Sequence, residues 1–177
     1  MLDCSTLKVN LKRIKSDILT LAEIGQNHED RGIYRMAFTD ADMEGKRWLS
    51  DRIEDAGLAL STDGAVNISG TLNGSTDQTR ILVGSHIDTV PCAGALDGTL
   101  GVVVGLECLR RMHEEKVVPQ RTLELIAFSD EEGRFGGMFG SQSVAGKINP
   151  ERLATMSDLD GVLLGDEMRR HGYDPLA

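Results

Sequence analysis

RILVGSH (residues 80–86), TLGVVVGLECLRRMHEEK (99–116) and RTLELIAFSDEEG (121–133) follow one another in the chain, and their succession decides the fold. The first is a short run built on Ile81, Leu82 and Val83, bounded by polar residues, and reads as a buried strand. The second is apolar at its start and charged at its end, as a helix is when it packs on a sheet and emerges into solvent. The third is another apolar strand, and it ends in acids. Strands alternating with helices predict an α/β fold with a mostly parallel central sheet covered by helices on both faces, a three-layer sandwich. In such sheets ligands sit outside the carboxyl ends of the strands. Two polar clusters, 84–98 and 129–133, each follow the carboxyl end of a strand, so a histidine and several acids should meet at one edge of the sheet.

Working outward, residues 7–24 place Leu7, Leu11, Ile14, Ile18, Leu21 and Ala22 at helical spacing, with Gly25 just beyond. A second helix is predicted over about 40–56 from Met43, Trp48, Leu49 and Ile53, stopping at Gly57. The alternation in 58–74, broken by Gly64, Gly70 and Gly74, predicts two short strands and a turn. Short helices are expected at 140–148 and 150–156. A last helix is expected over 160–172, with Asp160 as N-cap, Arg169 and Arg170 in the last turn and Gly172 following. The chain contains no repeat, low-complexity tract or linker.

The 177 residues are 40% hydrophobic and 27% charged, a globular composition large enough to bury one core. Aromatics are only 4%, so that core must be mostly aliphatic. The net charge of −9 argues against nucleic-acid or membrane-surface partners, which select clustered Lys and Arg. Cys4, Cys92 and Cys108 are odd in number and form no C-x-x-C, which disfavours a disulfide framework or a structural zinc knuckle. The charged first 30 residues contain no apolar signal region, and no run approaches the ~18 apolar residues of a membrane span. The expected location is the cytoplasm.

The strand-end clusters hold the chemistry. A divalent ion such as zinc accepts imidazole nitrogen and carboxylate oxygen at ~2.0–2.2 Å. Two such ions ~3.5–4 Å apart need a carboxylate between them. His86 is a candidate ligand. Asp88, two residues on, lies where its side chain can share one face of an extended segment and fix a ligating imidazole. Asp97, before Gly98, is a carboxylate on a turn that lets backbone approach closely. Glu131 and Glu132 are adjacent, so they point to different sides, one toward a metal and the other free to act as general base. Each has an ordinary alternative: a hydrogen-bonded histidine, a turn aspartate, a solvated glutamate pair. The convergence of all five favours the metal site. His28 and His113 are expected at the surface, and His171 as a charge at a helix C-terminus. Neither CAGALDG nor GRFGGMFG has the dinucleotide-binding spacing, nothing beyond proximity to His86 supports Cys92 as a nucleophile, and Ser85 and Ser141 lack a nucleophile-elbow context.

GSHIDTVPCAGALDG (84–98), LELIAFSDEEGRFGGMFGS (123–141) and AFTDADMEGKRWLSDRIEDAGL (37–58) resemble the allantoate amidohydrolases and N-carbamoyl-L-amino-acid hydrolases, the hydantoinase/carbamoylase family of zinc aminoacylase-type metallohydrolases. The resemblance runs from about residue 7 to the end. It implies a zinc-peptidase-like catalytic domain that hydrolyses a carbamoyl or ureido C–N bond of a small acid. It also implies two divalent ions (Zn, Mn, Co or Ni), with His86 as terminal ligand of one, Glu132 of the other and Asp97 bridging. Glu131 corresponds to the general base and Asp88 to the acid that supports a site imidazole. The chain departs from the family in having Ala93-Gly94 where Gly-Gly is usual, and in its length. It corresponds to an N-terminal portion of the catalytic domain (1–177), with the lid/dimerisation domain and C-terminal part absent. By that comparison the isolated chain is expected to be inactive or nearly so, and to form a homo-oligomer that covers the apolar edge left by missing strands. An aminoacylase or dipeptidase with the same metal chemistry, or a non-catalytic metal-binding or oligomerising remnant, are the alternatives.

Overall fold

A computed structural model describes residues 7–76 and 79–176; Cys4 lies outside the described residues. Helix α1 (Leu11–Glu23) begins where the Asn10 side chain accepts the Arg13 N–H at 3.2 Å. Helix α2 (Asp40–Asp55) is capped by Thr39, and Met43, Leu49 and Ile53 share its buried face with Asp42 and Lys46. Strands β1 (Ala59–Thr62) and β2 (Ile68–Leu72) form a hairpin. In its loop one Asp63 oxygen accepts the N–H groups of Ala65 and Asn67 at 3.0 and 2.9 Å. Strand β3 (Ile81–His86), helix α3 (Thr99–Glu114) and strand β4 (Leu123–Phe128) follow, then the short helices α4 (Phe139–Val144), α5 (Pro150–Leu153) and α6 (Leu164–Arg170).

The sheet runs β1-β2-β4-β3. β3 and β4 are parallel with His86 opposite Phe128, so both strands end at the same edge, as the sequence predicts. The sheet is mixed rather than mostly parallel, because the β1–β2 hairpin joins β4 through an antiparallel pairing of β2. Leu21 of α1, Leu49 and Ile53 of α2, and Val102, Leu106 and Leu109 of α3 close one core over Ile68, Leu125 and Ala127. Three helices over a single shared core do not describe a three-layer sandwich. A second cluster, with Phe38, Val66, Phe135, Phe139, Leu164 and Met168, packs the three short helices against the loops that leave the sheet.

Two expectations of the sequence change. β3 is not buried: as an edge strand paired only with β4, it leaves Ile81, Leu82 and Val83 exposed by 48, 47 and 39%. The last helix starts at Leu164 rather than after Asp160. Asp158 captures the N–H groups of Asp160 and Val162 at 3.1 and 2.9 Å, which turns the chain before a helix can begin. Among the described residues no helix is long and apolar enough to cross a membrane.

Burial of charge shapes the region beneath the β3 and β4 ends. Arg35 is 1% exposed, and its guanidinium donates to the carbonyls of Ile87, Leu21 and Ile24 at 2.7–2.9 Å. Lys46 reaches Ser129 Oγ at 3.2 Å and Asp42 at 3.5 Å. A buried cation survives only when its donors are matched in this way. These contacts tie α2 and the 33–38 segment to the strand ends that bear the candidate site.

Candidate metal centre

His86 is the last residue of β3, and its ring is fixed before any ion is considered. Nδ1 lies 3.0 Å from the carbonyl oxygen of Asp88, which cannot donate, so Nδ1 carries a proton and Nε2 is the nitrogen through which the neutral ring can ligate. Nε2 is 3.5 Å from Glu132 Oε1, contributed by the turn after β4. Asp97 comes from the turn that opens α3. One ligand atom from each of His86, Asp97 and Glu132 falls within 4.8 Å of the others. Imidazole nitrogen and two carboxylates are a donor set that suits a divalent ion such as zinc. His86 and Glu132 are half-buried and Asp97 is exposed, which leaves the group open to solvent on one side.

Asp88 lies beneath this group and is 1% exposed. Its backbone carbonyl orients His86, while its Oδ2 accepts the N–H of Glu132 at 3.1 Å. Its other oxygen is 3.7 Å from His86 Nδ1, too far for a hydrogen bond. One aspartate therefore joins the two strand ends that carry candidate ligands. Burial, and then the neighbouring Asp42, push its carboxyl above the usual range, against Lys46, the Glu132 N–H and His86.

Glu131 is held by α4. Its carboxylate oxygens accept the backbone N–H and the hydroxyl of Ser141, in the first turn of α4, at 2.9 and 3.0 Å. Asp130, fully buried, accepts the Phe135 N–H at 3.2 Å, and burial pushes its carboxyl up to about 7. The structure thus brings His86, Asp97 and Glu132 together, sets Asp88 under them and holds Glu131, the chain neighbour of Glu132, on Ser141. Sequence reasoning missed Ser129, Asn67 and Lys46, and the contact of Ser141 with Glu131. A signal existed only for Lys46, which shares a helical face with Met43, Leu49 and Ile53.

The remaining histidines lie elsewhere among the described residues. His171 Nε2 is 2.9 Å from the Phe38 carbonyl, and His113 packs against Gly57. Arg134 is engaged by Asp158, Glu167 and the Ala37 carbonyl, and its guanidinium stacks 4.7 Å from the Phe135 ring centroid. Cys92 and Cys108 are free thiols.

Residues 67–176 match the family model for peptidase family M28. The chain is 38% identical over 168 residues to an N-carbamoyl-L-amino acid amidohydrolase of Geobacillus stearothermophilus, covering 93% of this chain and 40% of that protein. It is 32% identical over 145 residues to the allantoate amidohydrolase of Escherichia coli, covering 80% of this chain and 35% of that protein. A hydantoinase/carbamoylase family amidase from Burkholderia ambifaria superposes with a TM-score of 0.88 at 31% identity, covering 94% of this chain and 41% of that one. The chain spans about two fifths of the length of the relatives it matches first. With the family model covering more than half of its residues, the chain belongs to peptidase family M28, and the relatives and solved structures it resembles include hydantoinase/carbamoylase amidohydrolases.

Proposed function

We propose that this chain carries the metal-binding part of a hydrolase that cleaves the carbamoyl or ureido C–N bond of a small acid such as allantoate or an N-carbamoyl-L-amino acid. The observation that carries this reading is the convergence of His86, Asp97 and Glu132 within 4.8 Å at the joint edge of β3 and β4. The names of the relatives supply the substrate class. A cleft of about 280 Å³ beside Glu132, lined by Thr89, Val90, Pro91, Arg134, Asp158 and Asp160 among others, has the size for a small molecule rather than a polymer.

In this reading His86 would be a ligand of one divalent ion, Glu132 of the other and Asp97 of both. When bound, the ions act as Lewis acids toward the substrate carbonyl. Glu131 is the general base: it takes a proton from the attacking water as the oxygen bonds to the carbamoyl carbon, and delivers it to the nitrogen as the C–N bond breaks. Ser141 occupies one lone pair on each Glu131 oxygen and leaves another free to accept. Asp88 keeps the imidazole and the Glu132 backbone in register.

The test is turnover of allantoate, N-carbamoyl and N-acetyl amino acids by the purified full-context protein supplied with Zn²⁺ or Mn²⁺. Preference for a ureido acid, with Glu131→Gln lowering kcat by about 10²- to 10⁴-fold, is the expected result. Preference for acetylated substrates would reassign the chain to aminoacylase chemistry, and full activity of Glu131→Gln would remove that residue as the base. A metal-binding module without turnover is the second reading. It is favoured by the single three-residue ligand group found among the described residues.

Self-association is proposed on separate grounds. Ile81, Leu82 and Val83 form an exposed apolar edge, and the neighbouring α3 adds Leu100 and Val104, exposed by 44 and 37%. An uncovered edge of this kind pairs with another chain. Sedimentation velocity should give a concentration-dependent dimer that Leu82→Lys disperses; a monomer throughout would contradict it.

A further inference from the structure

We infer that Asn67, in the β1–β2 hairpin, is the positioning residue that fixes the loop bearing Glu131 and Glu132. The inference builds on the metal-site reading above, but its first readout does not need a metal.

The loop from Ser129 to Ser141 is closed at its base by a backbone pair, Gly140 N–H donating to the Ser129 carbonyl at 2.7 Å. Two further backbone bonds continue inward, Phe139 N–H to Asp130 at 3.2 Å and Met138 N–H to Glu131 at 3.3 Å. Asn67, 1% exposed, grips both legs at that base. Its Oδ1 accepts the Ser129 N–H at 2.9 Å, and its Nδ2 donates to the Gly140 carbonyl at 3.2 Å. Asp63 holds the amide from behind, accepting from Nδ2 at 2.8 Å and from the Asn67 N–H at 2.9 Å. The Ser129 hydroxyl donates to the Val66 carbonyl at 2.8 Å, so the hairpin and the loop are joined at a second point.

This position requires one acceptor and two donors on a short planar group, and only a side-chain amide of this length supplies them. Aspartate retains the acceptor but loses both donors and sets a second carboxylate against Asp63. Alanine leaves the Ser129 N–H and Gly140 carbonyl without their side-chain partner in a region closed to water. Neither change touches Glu131 or Glu132. Each allows the legs of the loop to separate and moves both glutamates relative to His86, whose strand the change does not reach. A ligand constellation tolerates only about 0.5 Å of such movement.

The experiment compares Asn67→Ala and Asn67→Asp with the parent chain by amide hydrogen exchange and by calorimetric titration with Zn²⁺. Ile53→Val, a core change on α2, serves as the control for lost stability alone. Exchange should rise at least about tenfold in 129–141 and stay unchanged in 81–88, and Zn²⁺ affinity should fall by about 10- to 100-fold. The control should lower the thermal midpoint without reproducing that pattern. Unchanged exchange in 129–141, or a uniform rise across the sheet, would overturn the role of Asn67 whether or not metal binds. Absence of Zn²⁺ binding in the parent chain, with the local exchange pattern intact, would instead remove the metal-site reading and leave Asn67 as the anchor of the loop.

Discussion

Gly98→Ala is expected to weaken Zn²⁺ binding by at least about 100-fold while the protein still folds. Gly98 lies between Asp97 and the first turn of α3, at φ 62° and ψ −53°, where an L side chain is strained. A Cβ there would also fall 2.5 Å from Nδ1 and 2.6 Å from Nε2 of His86. The imidazole must swing away from its bond to the Asp88 carbonyl, or the backbone carrying Asp97 must retreat. Either response separates two of the three candidate ligands. Backbone strain of this kind costs about 1–3 kcal/mol, less than the total stability of an ordinary domain, so the site should fail before the fold does. Calorimetric titration together with thermal unfolding checks both halves. Undiminished Zn²⁺ affinity would mean that His86 and Asp97 do not share an ion.

Gly84→Ala is expected to prevent cooperative folding. Gly84 faces Ile126 in the β3–β4 pairing, and a Cβ at this position would collide with the Ile126 carbonyl oxygen and lie 2.8 Å from its carbon. Backbone on the partner strand cannot rotate aside as a side chain can, so relief requires β3 to leave β4. That separation also parts the strands that deliver His86 and Glu132. A loss above about 4 kcal/mol is anticipated, a large share of what holds a domain of this size together. Gly94→Ala is the matched comparison, since nothing lies within 4 Å of a Cβ there. Circular dichroism on heating should show a normal transition for Gly94→Ala and none for Gly84→Ala. Equal midpoints would contradict the β3–β4 register.

The candidate site was more legible in the sequence than the sheet around it. His86, Asp88, Asp97, Glu131 and Glu132 stand beside strand ends that the apolar runs mark plainly, and two parallel strands bring those ends to one edge. The direction of β2 was not legible. Residues 58–74 read as a hairpin from their alternation and glycines, but the strand a hairpin joins depends on packing between Ile68, Ile53 and Leu125, which no local pattern encodes. Ile81-Leu82-Val83 read as a strand covered on both faces because three consecutive aliphatics usually are. Composition reports what a strand is suited to bury, not what covers it.

The supporting residues were least legible because each acts through a partner distant in sequence. Ser141 holds Glu131 from ten positions away, and Asn67 reaches Ser129 across 62. Ser141 was weighed only as a nucleophile, for which it has no setting; its role is to hold a carboxylate. Asp160 looked like a helix cap because it precedes an apolar run, yet Asp158 had already taken the N–H groups that turn the chain. Lys46 and Asp42 form a charged pair one turn apart, which ordinarily marks a solvated helix face. Here the pair lies on the same face as Leu49 and Ile53, and it is buried at 2 and 0% exposure.

The central claim is that His86, Asp97 and Glu132 together form a divalent-metal site. Calorimetric titration of metal-free protein with Zn²⁺, in parallel with Asp97→Ala, tests it most directly. Tight saturable binding in the parent chain, lost in the variant while its unfolding midpoint is retained, is the predicted result. Absent binding, or binding unaltered by Asp97→Ala, would contradict it.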